Sequence, residues 1–256
     1  MAVHTDTASG MTSDLAAIRQ AIDRTGHPAL YVVDVVASLA AAPFDMDALG
    51  VDVCLGSSQK GLMMPPGLGF VAANAKAFAW SIQHAKPRFY WSWQERKTDN
   101  QSAKFCGTPP LAHMAGLEVS LGLLKAEGLD AVHARHQRLG GAVQAAVRCW
   151  ATAGAVKLHC KDPLGFSSSV TAVEVSPGID PEALRVVARE KFQVAMAGGL
   201  GPLAGRVFRI GHLGDMNEPM ILGALAGIEA AMTVQKIPYG PNGMAAAIAY
   251  LAQHTP

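Results

Sequence analysis

The sequence predicts an α/β protein: a mostly parallel sheet first, then a smaller α+β region. Three observations carry this. Ala29-Leu30-Tyr31-Val32-Val33 is a continuous apolar run, the pattern of a strand buried on both faces of a parallel sheet. Val51-Asp52-Val53-Cys54-Leu55 has the length and β-branched content of a second strand, and a helix-spaced segment (Leu15, Ile18, Ile22) precedes both. After Gly154 the pattern changes to short strands alternating with short helices, which reads as α+β.

In order, His4-Thr5-Asp6-Thr7-Ala8-Ser9-Gly10 is a Thr/Ser/Asp/Gly cluster, read as a loop or cap with no strand before it. Thr12-Ser13-Asp14 then starts a helix that Gly26-His27-Pro28 breaks. The strand at 29–33 ends in Asp34, and Asp45, Asp47 and Asp52 read as caps and turn residues. Gly69-Phe70-Val71-Ala72 is a further strand, and residues 74–85 a helix. An aromatic stretch follows, Phe89-Tyr90-Trp91-Ser92-Trp93, with Lys86, Arg88, Arg96 and Lys97 around it; burial in an interface suits it better than nucleic-acid stacking. Helices are expected over 113–124 and from Gly128 to Trp150. His133 and His136 on the second are half of a metal site without a third ligand, so they read as a solvated helix face, and no metal is expected. Strands at 156–159, 170–175 and 207–210 and helices at 181–191 and 218–233 complete the chain.

Composition narrows the function classes. The 256 residues are 50% hydrophobic and 16% charged, enough for a substantial core. A net charge of +1 disfavours nucleic-acid partners. Each apolar run is interrupted well short of the roughly 18 residues of a membrane span. The first residues lack the basic-then-apolar pattern of a signal peptide. Cys54, Cys106, Cys149 and Cys160 form no CxxC, favouring a reduced, cytoplasmic setting.

The chemistry concentrates in Gly56-Ser57-Ser58-Gln59-Lys60-Gly61, between the strand at 51–55 and Pro65-Pro66-Gly67-Leu68-Gly69-Phe70. Small residues there let a ligand approach the backbone. The flanks are apolar and nearly uncharged from Val53 to Lys76. A lysine in such surroundings is pushed toward the neutral amine that attacks carbonyls, which makes Lys60 a Schiff-base candidate. Asp34, at the carboxyl end of its strand, precedes Lys60 by 26 residues. That is where open α/β sheets place ligand-binding groups. Arg209 alternates with Phe208 and Ile210, so it faces away from those apolar side chains, and a guanidinium there suits a carboxylate.

Ser-Gln-Lys-Gly followed by Pro-Pro-Gly-Leu-Gly-Phe resembles the cofactor-lysine segment of class V aminotransferases, which use pyridoxal 5′-phosphate. Within that family the chain is most similar to serine–glyoxylate aminotransferases, relatives of the alanine–glyoxylate and serine–pyruvate enzymes, from Val3 to about Leu251. The resemblance implies fold type I: residues 1–127 as the C-terminal part of the cofactor-binding large domain and 128–256 as a small α+β C-terminal domain. It implies that Lys60 carries the cofactor, that Asp34 holds the pyridine nitrogen protonated and that Val36 packs on the ring. Thr7, from a segment that departs from the family pattern at Asp6 and Ser9, would hydrogen-bond the ring, and Gln59 would contact the cofactor. Phe105-Cys106-Gly107-Thr108-Pro109 corresponds to a segment that reaches the partner's cofactor phosphate in a homodimer; Thr108 matches, whereas Phe105 lacks the usual tyrosine hydroxyl, implying weaker phosphate binding. Phe208-Arg209-Ile210-Gly211-His212-Leu213-Gly214 resembles the segment whose arginine binds the substrate carboxylate.

The implied reaction is transamination of an amino acid, serine first and aspartate or alanine as alternatives, with glyoxylate. A residue before Lys60 that is glutamine rather than histidine argues against a cysteine desulfurase. Relatives carry a long N-terminal portion before the segment at His4, and nothing in this chain corresponds to it. The expectation is therefore a family member lacking that portion, non-catalytic or turning over poorly by itself.

Overall fold

The computed structural model describes residues 1–84, 86–100, 103–105 and 107–255. Two four-stranded sheets and a small hairpin organise them. The chain opens with β1 (Ala2–Val3), then β2 (Thr5–Asp6) and β3 (Met11–Thr12), before α1 (Leu15–Thr25). The sequence reading placed no strand before His4. The correction is that two residues suffice: β1 lies parallel to β4 (Val32–Asp34), with Val3 opposite Asp34, and the His4 amide donates to the Asp34 carbonyl at 2.9 Å. A two-residue strand leaves no periodicity to read. Asp14 caps α1 by accepting from the Ala17 amide, and Gly26, at φ +60°, ends it.

Next come β5 (Val53–Ser57), β6 (Gly69–Ala73), α2 (Ala75–Gln83), the single turn α3 (Trp93–Arg96) and α4 (Leu111–Glu127). Ala85, where the expected helix 74–85 was to end, lies outside the described residues, as does Cys106. The first sheet runs β1-β4-β5-β6, parallel except for antiparallel β6. Val33, Val35, Tyr31 and Val51 are buried under Leu15 of α1. Asp52, expected as a turn residue, is a buried polar knot. It accepts from the Tyr31 amide (2.7 Å), Asn74 Nδ2 (3.0 Å) and Lys76 Nζ (3.3 Å), tying β4, β5 and the start of α2 together.

The rest is α5 (Leu129–Trp150), β7 (Val156–Leu158), β8 (Val170–Val175), α6 (Pro181–Phe192), β9 (Ala197–Gly198), β10 (Val207–Gly211), α7 (Glu218–Val234) and α8 (Gly243–Gln253). The second sheet, β7-β8-β10-β9, is antiparallel throughout. Trp150, Phe208, Leu184, Leu225, Ile228 and Met232, all fully buried, form its core with α5, α6 and α7. The buried stripe of α5 runs Val132, His136, Leu139, Val143, Val147 and Trp150. His136, expected on a solvated face, is inside this stripe with no exposed surface. It sits four residues after Val132 and three before Leu139, so helix geometry puts it inward.

Candidate active site

Parallel pairing brings the carboxyl ends of β1, β4 and β5 to one edge of the first sheet. His4, Asp34 and Ser57 lie there, and the Lys60 turn follows β5 directly. The turn is fixed by backbone contacts from several directions. Ser58 Oγ donates to the Pro65 carbonyl (2.8 Å) and accepts from the Leu68 amide (3.2 Å). The Met63 and Met64 amides donate to the carbonyls of Lys60 and Ser58, at 2.9 and 3.1 Å. Gly61 backs onto the Leu39 carbonyl so closely that a Cβ would collide with it. Behind the turn, Leu62 is buried with Ala40, Leu124 of α4 and Val132 of α5, and Ser120 of α4 donates to the Leu62 carbonyl.

Lys60 is half-buried, and burial holds its ammonium below the usual lysine range, with the positive charge of Arg209 acting in the same sense. Arg209 reaches it from the second sheet. Phe208 and Ile210 enter the core, while Arg209 leaves by the opposite face of β10, buried to 8% exposure. Its Nε donates to the Gly198 carbonyl of β9 (2.7 Å), and Nη1 donates to the Thr7 carbonyl (2.9 Å). The guanidinium thus ties the second sheet to the β2–β3 hairpin and, among the described contacts, keeps Nη2 for another acceptor.

Thr7 is presented by the tight turn between β2 and β3. Asp6, in place of glutamate, closes that turn by accepting from the Ala8 amide (3.0 Å), the Ser9 amide (3.2 Å) and Ser9 Oγ (2.6 Å). Asp34, half-buried, accepts the Val36 amide on Oδ1 (2.8 Å). Val36 is half-buried beside it, and Gln59 is exposed on the turn. The structure therefore brings Lys60, Arg209 and Thr7 together and places Asp34, Val36 and Gln59 around the same sheet end. Thr108 is exposed on the approach to α4, and no hydrogen bond joins it to these residues among those described. Among the described residues no group of three or more His, Cys, Asp or Glu is placed to hold a metal ion, and no helix is long and apolar enough to cross a membrane.

Two further residues escaped the sequence reading. His4 Nδ1 and Ser57 Oγ, both at the carboxyl edge of the first sheet, are buried and have no hydrogen-bond partner. Buried polar atoms are normally satisfied, so unpaired ones at the sheet end that leads into the Lys60 turn are a mark of a binding site. Their position after apolar strand residues was the available signal.

The family model described as Aminotransferase class-V matches residues 1–202. This chain belongs to the class-V aminotransferase family. Members of that family use pyridoxal phosphate. A serine–glyoxylate aminotransferase from Methylorubrum extorquens is 40% identical across 99% of this chain, which covers 64% of that protein. An L-aspartate–glyoxylate aminotransferase from Paracoccus denitrificans is 39% identical, with 100% of this chain and 64% of that one covered. Among solved structures, pyridoxamine–pyruvate aminotransferase from Mesorhizobium loti superimposes with a TM-score of 0.87 at 28% identity, over 99% of this chain and 64% of that one. The fold is thus that of the fold-type I aminotransferases. The chain spans 56–64% of the length of the curated relatives it matches.

Proposed function

We propose that this chain serves pyridoxal phosphate-dependent transamination between an amino acid, serine in the first instance, and glyoxylate, yielding glycine and hydroxypyruvate, with poor turnover by the 256 residues alone. One observation carries the reading: a half-buried lysine, held toward its neutral form, lies close enough to Arg209 to feel its charge, and Arg209 is anchored on the carbonyls of Gly198 and Thr7. The residues suit the cofactor. Lys60 supplies an amine short of solvation, Asp34 an acid at the strand end, and Ser57 and His4 unpaired polar atoms at the same edge.

Bound there, pyridoxal phosphate supplies the electron sink for withdrawing charge from the amino acid's Cα. Lys60 holds the cofactor and then moves a proton at Cα as base and acid. Asp34 keeps the pyridine nitrogen protonated, Val36 packs on the ring, and Thr7 and Gln59 contact the cofactor. Arg209 orients the substrate carboxylate through Nη2. Thr108 serves the cofactor phosphate of a partner subunit in a homodimer, with Phe105 weakening that grip. We divide the chain at residues 127 and 128 into the large-domain part and the small domain, and we place the protein in the cytoplasm, where cysteines stay reduced. The aspartate–glyoxylate relative makes aspartate the alternative donor.

The test is to add pyridoxal phosphate, reduce with borohydride and map the modified residue by mass spectrometry. Serine, aspartate and alanine are then each supplied with glyoxylate, and glycine is measured. Trapping on Lys60, absent in Lys60→Ala, together with glycine formation supports the reading. Trapping that survives in Lys60→Ala, or no glycine from any donor, refutes it.

A further inference from the structure

Strand β10 and helix α7 are joined by the loop 212–217, and this loop touches the Lys60 turn. A Cβ built on Gly214 would lie 3.5 Å from Met63 Cγ and 4.0 Å from the Lys60 carbonyl oxygen. Gly214 itself adopts φ +90°, a conformation glycine reaches at little cost. One loop therefore links the strand that carries Arg209 to the turn that carries Lys60.

Two adjacent residues of α5 grip that loop. His136 Nε2 accepts the Gly214 amide at 2.9 Å. Arg135 Nη1 donates to the Gly214 carbonyl (2.8 Å) and to the Met216 carbonyl (3.0 Å). Arg135 is in turn set by a two-pronged pair with Glu127 at the end of α4, Nε to Oε1 at 2.7 Å and Nη2 to Oε2 at 2.9 Å. His136 Nδ1 meets the Val132 carbonyl at 2.7 Å. A carbonyl only accepts, so Nδ1 carries the proton and Nε2 is a bare acceptor. Both backbone groups of Gly214 are therefore held by α5.

We infer that His136 and Arg135 are positioning residues, which seat the Gly214 loop against the Lys60 turn and so fix the distance at which Arg209 presents its free donors to a substrate carboxylate. This rests on the proposed role of Arg209. Neither residue touches the reacting atoms. The acceptor role of His136 requires the neutral ring, and burial keeps it neutral by pushing its pKa below the ordinary 6.5. The charged and titratable groups around it are Glu127 from α4, Arg135 and His133 on α5, and His212 beyond β10. A protonated His136 would aim a second N–H at the Gly214 amide and release the loop.

The experiment uses the 256-residue chain loaded with pyridoxal phosphate and L-serine as the probe. Amide hydrogen exchange at Gly214, serine affinity and the extent of borohydride-fixed cofactor are measured for wild type, His136→Gln, His136→Leu and Arg135→Met. Removing one of the two loop contacts is expected to weaken serine binding about tenfold, the scale of a lost buried hydrogen bond. Cofactor fixation at Lys60 stays unchanged. In His136→Leu, Gly214 exchanges faster; in His136→Gln, whose Oε1 can accept the same N–H, protection and affinity return. Below pH 6.5 wild type loses serine affinity more steeply than His136→Gln. Unchanged Gly214 exchange in His136→Leu, or identical pH profiles for wild type and His136→Gln, overturns the inference. The second comparison holds even where the leucine variant fails to fold. If Arg209→Ala leaves serine affinity intact, the proposed function fails instead; if Arg209→Ala weakens it while His136→Leu and Arg135→Met are silent, only the positioning inference fails.

Discussion

His212 should make this protein acid-sensitive in a calculable way. It is completely buried, with Nδ1 against the Ser168 carbonyl (3.0 Å) and Nε2 against Thr171 Oγ1 (2.9 Å), an arrangement that suits the neutral ring with its proton on Nδ1. Thr171 can turn its hydroxyl to accept, so the cost of protonation is mainly that of burying a cation, and it lowers the pKa from 6.5 to about 4. Because the folded value is the depressed one, the stabilisation is complete above 6.5 and drains away as pH falls toward 4. At about 1.4 kcal/mol for each pH unit between those two values, linkage removes about 2 kcal/mol by pH 5 and about 3 kcal/mol by pH 4. The comparison is His212→Asn, whose side-chain N–H can still reach the Ser168 carbonyl but cannot titrate. Urea unfolding at neutral pH should find the variant weaker by about 1 kcal/mol, for the lost Thr171 contact. At pH 5 the order should reverse. His4 and His133 are also held low by burial, but they act equally on both proteins and cancel in the difference, whereas His136, whose charge opposes that of His212, loses less stability in the variant and so adds to the difference in the same sense. Stability curves that stay parallel from neutral pH to pH 4 would refute the argument.

Three other outcomes are expected. Arg209→Gln removes a positive charge near Lys60, so the Lys60 amine should titrate at higher pH, seen as an upward displacement of the pH dependence of borohydride-fixed cofactor. Gly61→Ala drives a Cβ into the Leu39 carbonyl, backbone that cannot give way cheaply, and should destabilise the chain by about 3 kcal/mol or more in urea unfolding. Trp150→Ala empties the centre of the second core and takes from Glu229 the Trp150 Nε1 donor at 2.7 Å, leaving it the Met244 amide at 3.2 Å; a loss of about 3–5 kcal/mol is expected by the same measurement.

The elements readable from the sequence were those with a long period or strong punctuation. Helices α5 and α6 announce themselves by apolar spacing, and α6 and α7 by an Asp180 or Asn217 cap with proline after it. Helix α8 went unread because it lacks those marks: it is apolar nearly all round, and Asn242 precedes it at φ +71° without a side-chain cap bond. The Lys60 turn stood out because a lone cation among glycines, serines and apolar strands is costly company. The partners that give the site its shape were not legible. Arg209 is oriented by the carbonyls of Gly198 and Thr7, and backbone atoms carry no sequence signature. His136 was misassigned for a related reason: its inward direction follows from the helix stripe, but its acceptor role depends on a glycine amide 78 residues away.

The bond from Arg209 to Thr7 joins residues 202 positions apart. A ribosome emits the Lys60 turn and the β2–β3 hairpin early, whereas β10 follows after about 10–40 s of synthesis at ordinary elongation rates. Throughout that interval the hairpin has no arginine to hold its Thr7 carbonyl, and the amine of Lys60 lacks the cation that helps hold its pKa below the usual lysine range. Any reactivity of the lysine is therefore set late, by the arrival of the last sheet strand, and a nascent chain stalled before residue 209 should already contain the first sheet without its finished amine.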